Sequence, residues 1–434
     1  MSLIELSQLL HAPVVTPSDE AVGRVDDVIV RLRGAGTYPL VTGVVARVGG
    51  RRVFVGSESI ERFDPDRVTL MHDEMNLRRF ERRYGEVLLR SDVLGHRLID
   101  VTVGELVRAY DVELAHSAEG LVLARLNTRR TRRLFGLLKT PGAAVVRDWG
   151  DFELLIGDRP SMAVGRPSGR VTALKPAQIA NLIEEANKAE GGEILDRVRS
   201  HPELEADVFE ELDPDKASRL LDDMPDGEVA ALLSRMRADD AADAVMHLRQ
   251  SRRRRVIESM PAPQRTKVIT LLKFNPDSAG GLMNVDVVCC GTKVTAGEAL
   301  ALIGVAHAIQ PEALLQMHVL NEDGQLAGVA SVIALLQAHP ADLVVTLMDP
   351  DPVRVTPDAD LAAIAVLMAD YNMHTIPVVD EQEQVLGVVT VDDVLKTIIP
   401  DDWRRRDPAP RPVREPNSAT GDPIASGIDG GIWS

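Results

Sequence analysis

A repeat of twelve residues occupies the middle of the chain and strongly limits what it can fold into. Apolar anchors recur at this spacing at Leu212, Met224, Met236, Leu248, Met260 and Leu272. Eight and nine residues after each of the first five anchors stands an apolar pair, from Leu220–Leu221 to Val268–Ile269. Each unit suits a helix of about two turns and a tight turn, and it is too short to bury its apolar face alone. The repeat therefore predicts a stacked array of short helices over residues 170–275.

Residues typical of helix starts follow the anchors and place the turns. Asp213–Pro214, Pro225–Asp226 and Pro261–Ala262 stand directly after their anchors. Proline suits the first turn of a helix because its missing amide hydrogen would have no partner there, and aspartate accepts hydrogen bonds from the free amides. We expect the units to stack as a superhelix in which neighbours cover one another.

Short strands and glycine turns fill the first 160 residues. Residues 22–32 alternate apolar and polar side chains, and Gly49–Gly50 joins two valine-rich strands, as in a half-buried sheet. We predict two small β-barrel units, 1–84 and 85–160, followed by a linker over 161–169. The first unit resembles the PRC-barrel family at Gly23–Asp27 and Val53–Ile60, and the second, more diverged unit is similar to it at Val87–Asp100 and Arg132–Gly136. This resemblance implies a docking module without catalytic activity.

Two copies of one strand–helix pattern occupy residues 283–345 and 346–400. Each copy places a helix, two strands around an acidic turn and a second helix in the same order, which predicts a β-α-β-β-α unit. The second copy resembles the CBS family at Leu367–Tyr371 and Leu386–Leu395. The resemblance implies that the two copies pack as one pseudo-symmetric disc.

The segment 276–282 joins the array to this pair and is predicted to be a hinge. Its proline, its Asp–Ser pair and its two glycines are typical of a joint between rigid bodies; the hinge residues are Pro276, Asp277, Ser278, Gly280 and Gly281. The array followed by this segment resembles the cytosolic part of the MgtE family of magnesium transporters, where the same segment joins a helical domain to a CBS pair. In that family a connecting helix and a membrane domain follow. Residues 401–434 resemble neither and are expected to be disordered.

The predicted fold class is therefore multidomain α+β, with PRC-like β-barrel units, a superhelical array of α-helices and a tandem CBS pair.

Negative charge is concentrated in the CBS pair. The chain has a net charge of −17, and residues 283–400 hold sixteen acidic side chains against Lys293, Arg354 and Lys396. Such repulsion destabilises a small domain unless cations or a basic partner offset it. Either the surface is simply solvated or carboxylates form a divalent-cation site.

Magnesium is the first candidate ligand. Mg²⁺ takes six oxygens and keeps several waters, so one or two carboxylates from each domain suffice. Asp239 and Asp243, four residues apart, share a face of one predicted helix. The candidates in the CBS pair lie near predicted element ends: Asp349, Asp360, Asp370, Asp392 and Asp393. In the MgtE family magnesium bridges acids of the helical domain and the CBS pair, and the resemblance implies that role here. The alternative for each aspartate is a helix cap or a solvated face.

A nucleotide is the competing ligand. CBS copies that bind nucleotides use a Ser/Thr-x-x-Asp pattern for ribose and phosphate. The second copy has it at Thr390 and Asp393, whereas the first copy has Ser331 and Ala334, without the carboxylate. The scarcity of basic residues disfavours ATP relative to Mg²⁺. Thr390 also suits the N-cap of the last helix.

Several classes of protein are disfavoured. No signal pattern or apolar run near eighteen residues is present, which predicts a cytoplasmic protein without a transmembrane segment. Cys289 and Cys290 are the only cysteines and are expected to be buried thiols. The basic cluster at residues 129–133 lacks interleaved aromatics, so we expect no nucleic acid partner. No motif supplies a nucleophile with a base, so we expect no enzymatic activity.

The sequence thus predicts a magnesium-responsive regulatory protein. We expect a homodimer through the CBS pair and a separate membrane transporter or other protein as partner, which would place the chain at the membrane only through that partner. The alternatives are an adenosine-nucleotide sensor and a scaffold that binds no ligand.

Overall fold

The structure is a computed structural model in which two compact units are distinguished. The first unit comprises residues 1–276 with 283–285, and the second comprises 277–282 with 286–434. The residues that the structure describes are 3–32, 37–73, 78–83, 85–134, 138–155, 170–307 and 309–400, with the backbone alone in 129–134 and 138–144. The predicted linker 161–169, the predicted disordered tail 401–434 and the side chains of the basic cluster at 129–133 lie outside the described residues.

The N-terminal β region, residues 3–155, forms one sheet of thirteen strands. Its elements in chain order are β1 (Leu3–Glu5), α1 (Leu6–Leu9), β2 (Pro13–Val15), β3 (Ala21–Arg31), β4 (Leu40–Val48), β5 (Arg51–Gly56), β6 (Ile60–Asp64), β7 (Arg67–Leu70), β8 (Glu86–Leu88), β9 (Arg97–Asp100), β10 (Glu105–Ser117), β11 (Gly120–Leu134), β12 (Leu138–Asp148) and β13 (Phe152–Leu154). The main path is β13-β9-β10-β11-β4-β3-β2-β7-β6, and β1, β12, β5 and β8 pair beside it with β10, β11, β4 and β3.

Strands from both predicted β units take part in this sheet. β8 pairs with β3, and Val122 of β11 pairs with Leu40 of β4. One apolar core draws on both halves, with Val44 and Leu114 among its fully buried members. The buried carboxylate of Asp27 reinforces the link, because its Oδ1 accepts the Arg90 amide at 2.8 Å and its Oδ2 accepts the Ser91 hydroxyl at 2.7 Å. The β-rich class is confirmed, and the division into two small barrels stays a prediction.

The predicted helical array is confirmed. Its helices are α2 (Pro176–Glu185), α3 (Lys188–Val198), α4 (Pro202–Glu211), α5 (Pro214–Asp222), α6 (Asp226–Leu233), α7 (Ala238–His247), α8 (Gln250–Ser259) and α9 (Ala262–Leu271). From α4 onward the first residues of successive helices are twelve apart. The first five anchors of the repeat are buried, and only Leu272, after the last helix, is half-buried. Each anchor stands at or just after the C-terminal end of one helix, directly before the turn into the next.

The array has two layers. Most of its helices pack on the second helix along the chain, whereas α3 packs mainly on α2. α2, α4, α6 and α8 form one series, and α5, α7 and α9 the other. Polar contacts repeat with the same period. Glu210 Oε1 accepts the Arg237 amide at 2.7 Å, and twelve residues further on Arg249 Nε donates to Asp222 Oδ2 at 3.0 Å. The repeating unit of the structure is thus a pair of helices, whereas the repeating unit of the sequence is a single helix with its turn.

The first helices of the array are fixed to the β region within the first unit. Arg197 of α3 donates to Glu153 Oε1 at 2.5 Å, to Glu193 Oε1 at 2.6 Å and to the Leu154 carbonyl at 2.7 Å. All three charged side chains are at most one-tenth exposed. This buried arginine between two carboxylates makes the junction specific, because separating Arg197 from Glu153 would leave buried charges without compensation.

The second unit contains two copies of one motif, as predicted. Its elements are α10 (Ala279–Leu282), β14 (Cys289–Gly291), α11 (Ala296–Val305), β15 (Gln316–Leu320), β16 (Leu326–Ser331), α12 (Val332–Gln337), α13 (Leu361–Asp370), β17 (Thr375–Val379), β18 (Val385–Thr390) and α14 (Val391–Ile398). Gln316 pairs with Ser331 in the first hairpin and Thr375 with Thr390 in the second, and each hairpin has an irregularity at the same relative position. This shared register establishes the internal repeat.

The cysteines lie in the first copy, at the strand β14 that pairs with β15. Both are free thiols, Cys290 buried and Cys289 half-buried. Burial, with the neighbouring Cys290, raises the pKa of the Cys289 thiol to about 11. The thiol is therefore protonated at neutral pH and is a poor metal ligand in that form.

Candidate functional site

The two acids proposed in the array lie on α7. Asp239 is in the first turn and buried, whereas Asp243 is exposed one turn further on. The amino-terminal turn of a helix stabilises carboxylates through its free amides and its dipole. Asp239 and Asp243 can therefore act together only with a ligand that reaches from solvent to the buried edge of α7.

A third acid beside α7 was not predicted from the sequence. Glu210 of α4 accepts the Arg237 amide at 2.7 Å and Arg237 Nε at 3.2 Å, and Arg237 also pairs with Asp240. Burial, and then the negative charge of Asp240, raise the pKa of Glu210 to about 7, although Arg237 opposes this shift. The repeat offered a signal that was not used: an acid in the last turn of one helix with an arginine 27 residues later recurs at Asp222 and Arg249.

The five aspartates proposed in the CBS pair lie on different elements. Asp349 and Asp370 are exposed, and Asp349 Oδ1 accepts the Asp351 amide at 3.1 Å. Asp360 is the N-cap of α13 and accepts the Ala363 amide at 2.9 Å. Its contacts are therefore those of a helix cap, the alternative to a metal ligand. Asp392 and Asp393 lie together in the first turn of α14, half-buried and buried.

The carboxylates do not form a complete metal cage. Across the parts of the chain with described side chains, no three His, Cys, Asp or Glu side chains are grouped closely enough to hold a metal ion. Asp392 Oδ1 is nevertheless buried and has no hydrogen-bond partner there. A buried carboxylate oxygen without a donor favours a cation or a water at that position. Asp392 therefore fits a Mg²⁺ ion that keeps most of its waters, which is the usual form of this ion in proteins.

Thr390 and Asp393 are in direct contact in the second CBS copy. Thr390 Oγ1 donates to Asp393 Oδ2 at 2.6 Å, and both residues are buried. Thr390 occupies the N-cap position of α14, as expected, but its side chain makes no cap hydrogen bond. The hydrogen bond to a carboxylate is charge-assisted and stronger than one from a neutral amide. In the first copy, where residue 334 is alanine, Ser331 does cap its helix and accepts the Ala334 amide at 3.1 Å.

Two of the three basic residues of the CBS pair are engaged with carboxylates. Arg354 pairs with Asp351 at 2.9 Å and with Glu383 at 2.7 Å, and Lys293 pairs with Glu322 at 2.8 Å. A phosphate group would therefore have to displace a carboxylate to gain either cation.

The predicted hinge contributes most of its residues to the second unit. Ala279 donates its amide to the Ala359 carbonyl at 2.9 Å, and Gly280 donates to the Pro357 carbonyl at 2.8 Å. Ser278 is buried and pairs with Asp360 through the backbone, while Pro276 and Asp277 are exposed. Gly280 and Gly281 lie in the single turn α10. The segment 277–282 is thus anchored on the second CBS copy, and the division between units falls directly after Pro276.

Comparison with known proteins defines the class of both domains. Residues 174–277 match the MgtE intracellular N domain, and residues 343–400 match the CBS domain. The helical array is thus similar to the MgtE N domain and the second copy to a CBS domain, and the resemblance of the chain to the cytosolic part of MgtE transporters is confirmed. The β region lies outside both matches.

Particular relatives make the resemblance more specific. The magnesium transporter MgtE of Thermus thermophilus is 36% identical over 163 residues, which is 37% of this chain and 36% of the relative. MgtE of Bacillus subtilis is 27% identical over 193 residues, 44% of this chain and 43% of the relative. The chain thus spans less than half the length of these curated relatives.

The solved structure of the cytosolic domain of the Mg²⁺ channel MgtE in complex with ATP has a TM-score of 0.51 and 29% sequence identity, and covers 54% of this chain and 94% of that one. Within the described part of the present chain, no helix combines the length and the apolarity needed to cross a membrane.

Proposed function

We propose that this protein is a Mg²⁺-responsive regulatory protein, in which carboxylates of the helical array and of the CBS pair bind the cation together. The observation that carries the proposal is the similarity of 54% of the chain to the cytosolic domain of a Mg²⁺ channel. The concentration of acidic residues in the CBS pair supports it, as does the buried Asp392 oxygen without a donor. The role is regulatory, and we assign no catalysis to it.

Linkage explains how such a protein would respond. Carboxylates of two domains repel one another when no cation is present, and a bound cation favours the conformation that brings its ligands together. The shift is limited by the difference in affinity between the two conformations. The hinge role proposed for residues 276–282 belongs to this mechanism, since the division between the units falls within that segment.

Calorimetry and X-ray scattering on the full chain test the proposal. We expect heat on titration with millimolar MgCl₂ and a smaller radius of gyration in its presence, and the Asp392→Asn/Asp393→Asn variant should weaken both. Asp323→Asn, at an exposed loop position, is the matched control. Scattering curves that superimpose with and without Mg²⁺ would contradict the switch.

Adenosine-nucleotide sensing is the second candidate. The buried Thr390–Asp393 pair favours it, as does the ATP complex of the MgtE cytosolic domain. In this case ATP gives heat without Mg²⁺, and Thr390→Ala abolishes that heat. Heat from neither ligand favours a scaffold.

A homodimer through the CBS pair completes the proposal. Apolar side chains are exposed on every helix from α11 to α14: Leu302, Val305, Ile333, Leu336, Val366, Leu395 and Ile398. Exposed apolar groups on neighbouring helices are typical of association surfaces. We expect Ile333→Glu/Leu336→Glu to convert a dimer into a monomer in analytical ultracentrifugation, whereas Glu322→Lys, which is exposed in a loop, should not. A wild-type monomer at micromolar concentration would contradict this.

The site of action follows from the same resemblance. We propose a cytoplasmic protein that acts on a separate membrane transporter or another protein, and reaches the membrane through that partner.

A further inference from the structure

A groove between α8 and α9 carries positive charge that the proposed function does not use. It has a volume of about 570 Å³ and is lined by Gln250, Arg253, Arg254, Ile257, Glu258, Arg265 and Ile269. Residues 247–275 hold eight Lys and Arg side chains and a single acid, Glu258, whereas the array as a whole is acidic. This set of seven residues is called the basic groove below.

The arginines of α8 fall into two groups. Arg252 and Arg255 donate to the two carboxylate oxygens of Asp226, each at 2.7 Å, and Arg254 pairs with Glu258 at 2.7 Å. These three are therefore engaged with carboxylates of the array.

Arg253 and Arg265 differ, because neither has a carboxylate partner among the described residues. Half-buried Arg253 donates to the main-chain carbonyls of Met246 and, at 2.9 Å, Leu248. Arg265 donates only to the Glu258 carbonyl, at 3.4 Å. Carbonyl oxygens orient a guanidinium group without cancelling its charge, so Arg253 is held in position for an external anion. Arg265 adds a second positive charge to the same groove.

The floor of the groove is apolar. Ile257 is half-buried and Ile269 is 43% exposed. A free phosphate would leave these side chains in water and would meet the negative charge of Glu258. A peptide carboxylate carries one charge, and an adjacent apolar side chain can cover the isoleucines. The chemistry therefore favours an acidic peptide with interspersed apolar residues.

We propose that the basic groove is a docking site for an acidic, apolar segment of a partner protein. Arg253 and Arg265 bind its carboxylates, and Ile257 and Ile269 contact its apolar side chains. The site adds a protein-binding function to the array that does not depend on Mg²⁺ or ATP.

Fluorescence anisotropy on the full chain tests this proposal, with a fluorescein-labelled dodecapeptide of alternating Glu and Leu as the probe. We expect saturable binding that weakens with salt, and a loss of affinity of roughly tenfold or more in Arg253→Glu/Arg265→Glu. Ile269→Ser should weaken binding several-fold at unchanged charge. Arg219→Glu/Lys216→Glu on α5 makes the same change in net charge and should bind like the wild type. Circular dichroism verifies that each variant is folded.

Three outcomes would overturn the proposal. Equal loss of binding in the α5 control would show a general charge effect. Full competition by inorganic phosphate at equal concentration, or arginine-dependent flotation with phosphatidylglycerol vesicles without peptide binding, would assign the groove to phosphate groups. Self-association that Arg253→Glu/Arg265→Glu abolishes would make a second copy of the chain the occupant.

Discussion

Glu210 shows how one residue acquires an unusual property from its neighbours. Two carboxylates, Glu210 and Asp240, share a single cation, Arg237, in a site largely removed from water. Burial penalises the charged form of Glu210, and the second carboxylate adds to that penalty. The resulting pKa of about 7 lies within the physiological range, where ordinary glutamates are fully ionised.

We expect this residue to make stability pH-dependent. The pKa of Glu210 is raised from its ordinary value of 4.5 to about 7, so the folded state binds the proton more tightly than the unfolded state. Stability is therefore retained below pH 4.5 and is lost as pH rises toward 7, by at most about 3 kcal/mol. Glu210→Gln removes the cost of ionising this side chain in the folded state, so the variant should gain stability relative to the wild type as pH rises from 5 to 8.

Urea unfolding at several pH values measures the difference between the two proteins. Glu211→Gln, an exposed change at the adjacent position, is the control and should show no such trend. A difference between Glu210→Gln and the wild type that stays constant over this range would show that Glu210 is ionised throughout.

At the scale of the element, the helices of the array depend on one another more than on their own propensity. Helices of eight to eleven residues are marginal in isolation, and most of them are covered by the second helix along the chain. The anchors supply much of this burial. The same substitution should therefore change the free energy of unfolding by different amounts at different positions of the repeat.

Leu248→Ala should therefore destabilise the array far more than Leu272→Ala. Leu248 is 1% exposed between two layers, whereas Leu272 is half-buried after the last helix. A leucine truncated in a core costs about 3 kcal/mol, and one that is half solvated about 1 kcal/mol or less. Thermal unfolding followed by circular dichroism gives both values, with Leu272→Ala as the matched control. Equal losses would mean that the twelve-residue repeat does not set the packing.

At the scale of the first unit, the β region and the array are joined through buried charge. Arg197 of α3 bridges Glu153 of the β region and Glu193 of its own helix. Burial raises the pKa of Glu153, and the charge of Arg197 opposes that shift. Without the arginine, both carboxylates would lie in a dry environment with less compensation.

Arg197→Ala should loosen this junction. We expect a loss of about 3–5 kcal/mol, as for other buried ion pairs that lose one partner, and faster hydrogen exchange in both β13 and α3. Arg219→Ala, at an exposed position of α5, is the control and should have little effect. Faster exchange confined to α3 would show that the β region is not stabilised by this contact.

What the sequence determined by itself is mostly local and periodic. The twelve-residue anchors predicted the array because burial of short helices requires a regular apolar pattern, and the paired strand–helix patterns predicted the two CBS copies. The residues Asp277–Met283 indicated the family through a short motif. Such features lie within a few tens of residues along the chain, where pattern and structure correspond closely.

Only the tertiary structure decided which groups meet across long separations. The sequence predicted Thr390 at the start of α14, whereas the structure shows that its hydroxyl donates to Asp393 and accepts no cap hydrogen bond. Other elements also supply the burial and the partners that raise the pKa of Glu210, place Arg197 between two carboxylates and direct Arg253 to carbonyl oxygens. Sequence shows that a charge is present. The environment that sets its pKa or leaves it without a counter-charge is a product of folding, because both desolvation and pairing are properties of the packed chain.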